Sequence, residues 1–68
     1  MEKLGRLIPV DIYDKDGNMV RIEFFDSAGN RVIEAIWDQT DEQTNENRIL
    51  FRKWAYNFMN NKGYEVSI

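Results

Sequence analysis

The chain contains no cysteine and no histidine. Without cysteine there is no disulfide, and without either residue the usual zinc ligand sets are gone. The common nucleophile–base arrangements go with them, because Ser27 and Ser67 are the only serines and neither has an imidazole to activate it. Asp11 and Glu23 could act as acid and base only with a pocket to shift one of them, and nothing in the pattern builds one. There is no glycine-rich phosphate loop. No run approaches the ~20 apolar residues that span a bilayer, and Leu7-Ile8-Pro9-Val10 is too brief for a secretory leader. A surplus of positive charge is also missing: 9 Lys and Arg face 12 Asp and Glu, a net charge of −3. These absences point to a non-enzymatic, cytoplasmic protein without metal or cofactor.

Sixty-eight residues, 1–68, make one small domain. A chain of this length buries only ~60% of the surface it exposes when unfolded. With no disulfide or zinc to help, a second subunit or a partner is the remaining source of stability. The 43% hydrophobic content separates the chain from disordered acidic tails.

What is present is one turn signal written twice, Asp14-Lys15-Asp16-Gly17-Asn18 and Asp26-Ser27-Ala28-Gly29-Asn30, each preceded by an aromatic, Tyr13 or Phe25. Asp opens such a turn by bonding its own backbone, and Gly accepts the positive φ that closes it. Two consecutive hairpins follow, a β-meander over 6–37, after residues 1–5 that are expected to fray. Thr40 and Gln43 match a capping box, and Asp41, Glu42 and Glu46 suit a helix start. Leu50, Phe51, Trp54, Ala55, Phe58 and Met59 recur as one apolar stripe, and Gly63 is placed as a C-terminal cap. The spacing predicts a helix over 41–62, with a start as late as Thr44 allowed by the polar first turns. Residues 64–68 alternate as a tail or short strand. The fold class is α+β, a three-stranded antiparallel meander on one helix, βββα or βββαβ.

Regular pairing outward from the turns sets Ile12 opposite Val20, Val10 opposite Ile22 and Ile8 opposite Phe24. The next hairpin sets Phe24 opposite Val32 and Val20 opposite Ile36. That face is the expected core, covered by the helix stripe. Glu34 would intrude on it, reaching solvent or a helix Arg or Lys. The other face then carries Tyr13, Met19, Arg21, Phe25, Ile33 and Trp37, with Asp11 paired to Arg21. Apolar clusters on a nominally open face suggest an interaction surface for a protein partner or a second copy. A slip of one residue would exchange the two faces.

The same topology gathers Asp14, Asp16, Asp38, Asp41 and Glu42 into an acidic pole able to steer a basic partner. Asp14, Asp16 and Asn18 also share the spacing of the first calcium-loop ligands, but Met19 and Phe25 stand where the loop's Gly and Glu belong. Turn chemistry accounts for all three. Aromatics beside Arg21 and Arg31 on a sheet, with Arg48 and Arg52 on the helix, form the alternative surface, one for nucleic acid. The acidic total opposes it.

The βββα order resembles, in topology, the DNA-binding domains that begin some phage and transposon integrases. That resemblance implies a sheet laid in the major groove, from which the charge balance departs. The compact, cysteine-free acidic chain, through the segment Trp37 to Val66, also resembles the small accessory proteins of tailed phages. That likeness implies an accessory or regulatory, even inhibitory, protein that binds a host protein. A decoy of nucleic acid, acting through the acidic pole, is a further variant.

Overall fold

The computed structural model describes residues 4–38 and 42–66. Strands β1 (Gly5–Tyr13), β2 (Met19–Phe25) and β3 (Arg31–Ile36) are followed by helix α1 (Asn45–Asn61) and a short strand β4 (Tyr64–Val66). The sheet order is β3-β2-β1-β4, antiparallel except that β4 runs parallel to β1. The fold is therefore α+β with the order βββαβ. No helix among the described residues is long and apolar enough to cross a membrane.

Both turns form as their sequence dictates. One oxygen of the Asp14 carboxylate accepts from the Asp16 and Asn18 amides at 2.9 Å each, and the Gly17 amide donates to the Asp14 carbonyl at 3.1 Å. Asp26 repeats this with Ala28, Asn30 and Gly29. Gly17 and Gly29 take φ of 83° and 86°, the left-handed region that glycine enters without strain. The first pairs past each turn, Tyr13 with Met19 and Phe25 with Arg31, follow directly.

One step further, each hairpin departs from regular pairing. Ile12 lies opposite Arg21 and Phe24 opposite Ile33, so that Val20 and Val32 are extra residues in β-bulges. A one-residue slip moves every later side chain to the other side of the partner strand's set. Ile22 now stands opposite Asp11 and Ala35, and Phe24 opposite Pro9 and Ile33. The expected faces are corrected accordingly. Leu7, Met19, Ile22, Phe24, Ala35 and Trp37 form the core with Ala55 and Met59 of α1 and Val66 of β4. Ile8, Val10, Val32 and Ile36, expected inside, are exposed.

The helix takes the later of the two starts that the polar first turns allowed. Thr44 is the N-cap, its hydroxyl accepting from the Asn47 amide at 3.1 Å, so the helix begins at Asn45 rather than at 41. Thr40 and Asp41 lie outside the described residues, and Gln43 is engaged elsewhere. At the other end the Gly63 amide donates to the Asn60 carbonyl, as a C-terminal cap requires. The chain then runs straight into β4. That strand gives the beginning of β1 a neighbour: Gly5 pairs with Tyr64, and the Leu4 amide donates to the Gly63 carbonyl at 2.8 Å. Gly5, expected to fray, is thus held in the sheet. Residues 1–3 and 67–68 lie outside the described residues.

Candidate protein-interaction surface

The six residues expected to share an open sheet face are divided by the bulges. Met19 and Trp37 are only 2% and 5% exposed, inside the core, and Ile33 packs against it. Tyr13 stands on the helix side at the exposed end of β1, where its hydroxyl accepts from Arg52 at 3.2 Å. Arg21 and Phe25 belong to the opposite face, beside Ile12 and Ile8. No single surface contains all six.

The uncovered sheet face has a charged centre. Glu23 lies directly opposite Glu34, a like-charge pair that would be unfavourable alone. Arg31 donates to the Glu23 carboxylate at 2.9 Å and Arg21 at 3.2 Å, while Glu34 lies 3.4 Å from Arg21 and 3.7 Å from Arg31. Acid and base therefore alternate around a closed square. The hydrogen bond from Arg31, with help from Arg21, holds the Glu23 carboxyl below its ordinary pKa even though burial pushes the other way. The Glu23 carboxylate raises the Arg31 guanidinium in turn. Glu34 is thus a member of this square and not an intruder in the core.

The other arginines are also engaged. Arg52 reaches from α1 to the Asp11 carboxylate through Nη2 at 2.7 Å and Nε at 3.1 Å, in place of the expected Asp11–Arg21 pair. That contact raises the Arg52 pKa. Burial beside it, reinforced by the Asp11 charge, raises the Tyr56 phenol. Arg48 donates to the side chains of Gln43 and Asn45. Arg21 and Arg31 lie on the sheet, Arg48 and Arg52 on the helix, and the four do not line up as one phosphate-tracking stripe.

The acidic end takes shape in part. Asp14, Trp37 and Gln43 border one groove, so the first turn, the end of β3 and the approach to α1 do meet. Asp38 borders the next groove, and Glu42 precedes Gln43. Asp16 is exposed in the turn, and Asp41 lies outside the described residues.

A row of large apolar side chains is left in solvent on the helix. Leu50, Trp54 and Phe58, one turn apart, are 61%, 55% and 43% exposed. The Trp54 and Phe58 rings continue a chain of aromatic contacts that starts in the core. Trp37 meets Phe51 edge-on at 5.0 Å, Phe51 stacks on Trp54 at 6.0 Å, and Trp54 lies 5.7 Å from Phe58. The Lys62 ammonium sits 4.9 Å above the Phe58 ring. Beside the row, Ile36, Trp37, Leu50, Phe51 and Trp54 line an open groove of about 430 Å³.

The stripe predicted to cover the sheet is therefore two rows. Phe51, Ala55 and Met59 pack inward, whereas Leu50, Trp54 and Phe58 are left out. The signal was available in the sequence as neighbours: Leu50-Phe51, Trp54-Ala55 and Phe58-Met59 place two apolar rows side by side, wider than one contact line needs. No family model, no curated protein and no solved structure matches this chain.

Proposed function

We propose that this protein is a non-enzymatic interaction domain, an accessory or regulatory protein that docks on a protein surface through the outer row of α1. The observation that carries this reading is the exposed row Leu50, Trp54 and Phe58, whose central Trp54 stacks on Phe51, itself edge-on against the buried Trp37. Aromatic anchors already held in place lose little freedom on binding, which is what makes Trp and Tyr the frequent centres of protein interfaces. The fitting occupant is an apolar helix or groove of another protein chain. The uncovered sheet face is less suited to the role, because its centre is a closed set of ion pairs that would have to be desolvated. The engagement of Arg21, Arg31 and Arg52 by carboxylates likewise lends little support to a nucleic-acid contact. The acidic end acts as a secondary, steering surface.

The test is a capture experiment with the tagged chain in nuclease-treated lysate at raised salt. A stoichiometric companion, another protein or an untagged copy of this chain, is expected to be lost on Trp54→Ala or Phe58→Ala. It should be retained on Val10→Ala, on the far side of the sheet. A companion indifferent to the helix substitutions would overturn the reading.

A further inference from the structure

The groove beside the outer row of α1 combines three kinds of surface. Trp54 and Phe51, stacked at 6.0 Å with their planes 22° apart, give it aromatic rings, and the buried Trp37 meets Phe51 edge-on. Ile36 and Leu50, both exposed, add aliphatic surface. Asp38 and Asn47 add polarity of one kind. Asn47 directs its side-chain nitrogen to the Glu42 carbonyl at 2.9 Å. Its oxygen and the Asp38 carboxylate are hydrogen-bond acceptors.

The charge around the groove has one sign. A second groove shares Ile36 and Trp37 with it and is bordered by Asp14. Among the described residues, no Lys or Arg lines either one. The bases of α1 stand elsewhere. Arg48 and Arg52 border a separate groove with Tyr13, and Lys53 stands ~100° around the helix from Trp54. Lys62 shows what the aromatic row accepts, since its ammonium lies 4.9 Å over the Phe58 ring.

We infer that the partner is a basic, apolar protein segment that sets an arginine side chain into the groove lined by Trp54, Phe51 and Asp38; this rests on the docking reading above and names the chemistry of its partner. A planar guanidinium lies on an aromatic face and donates to a carboxylate at the same time, while its methylene stem covers aliphatic surface such as Ile36 and Leu50. An ammonium has the charge without the plane and is more strongly hydrated, so lysine fits less well. A wholly apolar segment covers Leu50 and Trp54 but takes water from Asp38 and returns no cation. An acidic segment meets Asp38 and Asp14 with like charge. The volume of about 430 Å³ suits one long side chain and an apolar neighbour, within the ~300–1,000 Å³ usual for ligand sites.

Selection of short random peptides against the immobilised full chain, followed by titration of the enriched sequences by fluorescence anisotropy, tests this. The enriched peptides should share an arginine flanked by apolar residues. Replacing that arginine by glutamine should weaken binding ~3–30-fold, and lysine should restore only part of it. On the protein, Asp38→Asn should weaken binding ~3–10-fold and Trp54→Ala at least ~10-fold, whereas Asp38→Glu keeps the charge and should lose less than Asp38→Asn. Asp16→Asn removes an exposed acid that borders neither groove, and it should change affinity less than ~2-fold, which separates the groove from a general attraction of basic peptides. Far-UV circular dichroism checks that the variants keep their fold, and the arginine-to-glutamine change in the peptide makes the same test without touching it. A selection that enriches nothing, a consensus without arginine, or an affinity indifferent to Asp38→Asn overturns the inference. An arginine-free, apolar consensus that is still lost on Trp54→Ala removes the arginine and leaves the docking reading standing. A capture experiment indifferent to Trp54→Ala removes the docking reading as well.

Discussion

The side-chain amide of Gln43 meets the backbone of Met19 at both its ends: the Met19 amide donates to Oε1 at 3.0 Å, and Nε2 donates to the Met19 carbonyl at 3.0 Å. An amide placed this way does what a neighbouring strand would do for one residue, and it fastens the approach to α1 onto the start of β2. Gln43→Ala would leave two partly buried backbone groups to water, at a cost of about 1–2 kcal/mol. Gln43→Glu keeps the acceptor and loses the donor, so its loss should be intermediate or, from the carboxylate facing a carbonyl, as large. Urea unfolding followed by far-UV circular dichroism measures both. Equal stability of Gln43→Ala and wild type would remove the proposed fastening.

Leu7 and Val10 separate the bulged sheet from a regular one. Regular pairing puts Val10 inside and Leu7 out, whereas the bulges at Val20 and Val32 bury Leu7 and expose Val10. Leu7→Ala should cost about 2–4 kcal/mol. Val10→Ala should cost less than about 1 kcal/mol. For a domain whose whole stability is on the order of 3–10 kcal/mol, the first substitution threatens folding and the second does not. The reverse order in thermal melts would restore the unbulged register.

The contrast between turn and bulge explains how much of the fold was legible. Asp14, Gly17, Asp26 and Gly29 announce their turns because each supplies a bond or a dihedral that few residues can supply. The order of strands and helix, and the cap at Gly63, follow from equally local chemistry. Val20 and Val32 carry no such mark, since Val is an ordinary strand residue and the bulge is selected by packing at a distance. The alternation Ile8, Val10, Ile12 pointed the wrong way because β1 is apolar on its exposed side as well. Likewise the residues of the α1 row were legible as apolar helix positions. Which of the two rows the sheet would cover depends on how α1 lies across it, and that geometry arises only on folding. Gln43 was hidden for the same reason: its partner is 24 residues away, and a nearer threonine offered a local explanation.

Asp11 and Arg52 join the sheet to the helix through the two hydrogen bonds to one carboxylate oxygen. Both side chains are partly exposed, so solvent reduces their mutual attraction. A double-mutant cycle with Asp11→Asn and Arg52→Gln should give a coupling of about 1 kcal/mol. Raised salt should shrink this coupling only in part, because the pair sits between two packed elements. A coupling indistinguishable from zero would make the contact incidental to the docking of α1.

Glu23 gives the sheet a defined response to acid. Its carboxyl is held below the ordinary value of 4.5 in the folded state, first by the hydrogen bond from Arg31 and then by Arg21. The unfolded chain therefore takes up the proton at a higher pH than the folded one. The stabilisation is present in full above the unfolded value and is lost as pH falls through the lower folded value. Glu23→Gln removes the titrating group while leaving Glu34 its contacts with Arg21 and Arg31. At neutral pH the variant should melt below the wild type. As the pH is lowered from about 5 to 3, the range in which ordinary carboxylates titrate, the two melting temperatures should converge. Melts at a series of pH values decide the matter: a constant difference across that range would show that Glu23 gains nothing from its arginines on folding.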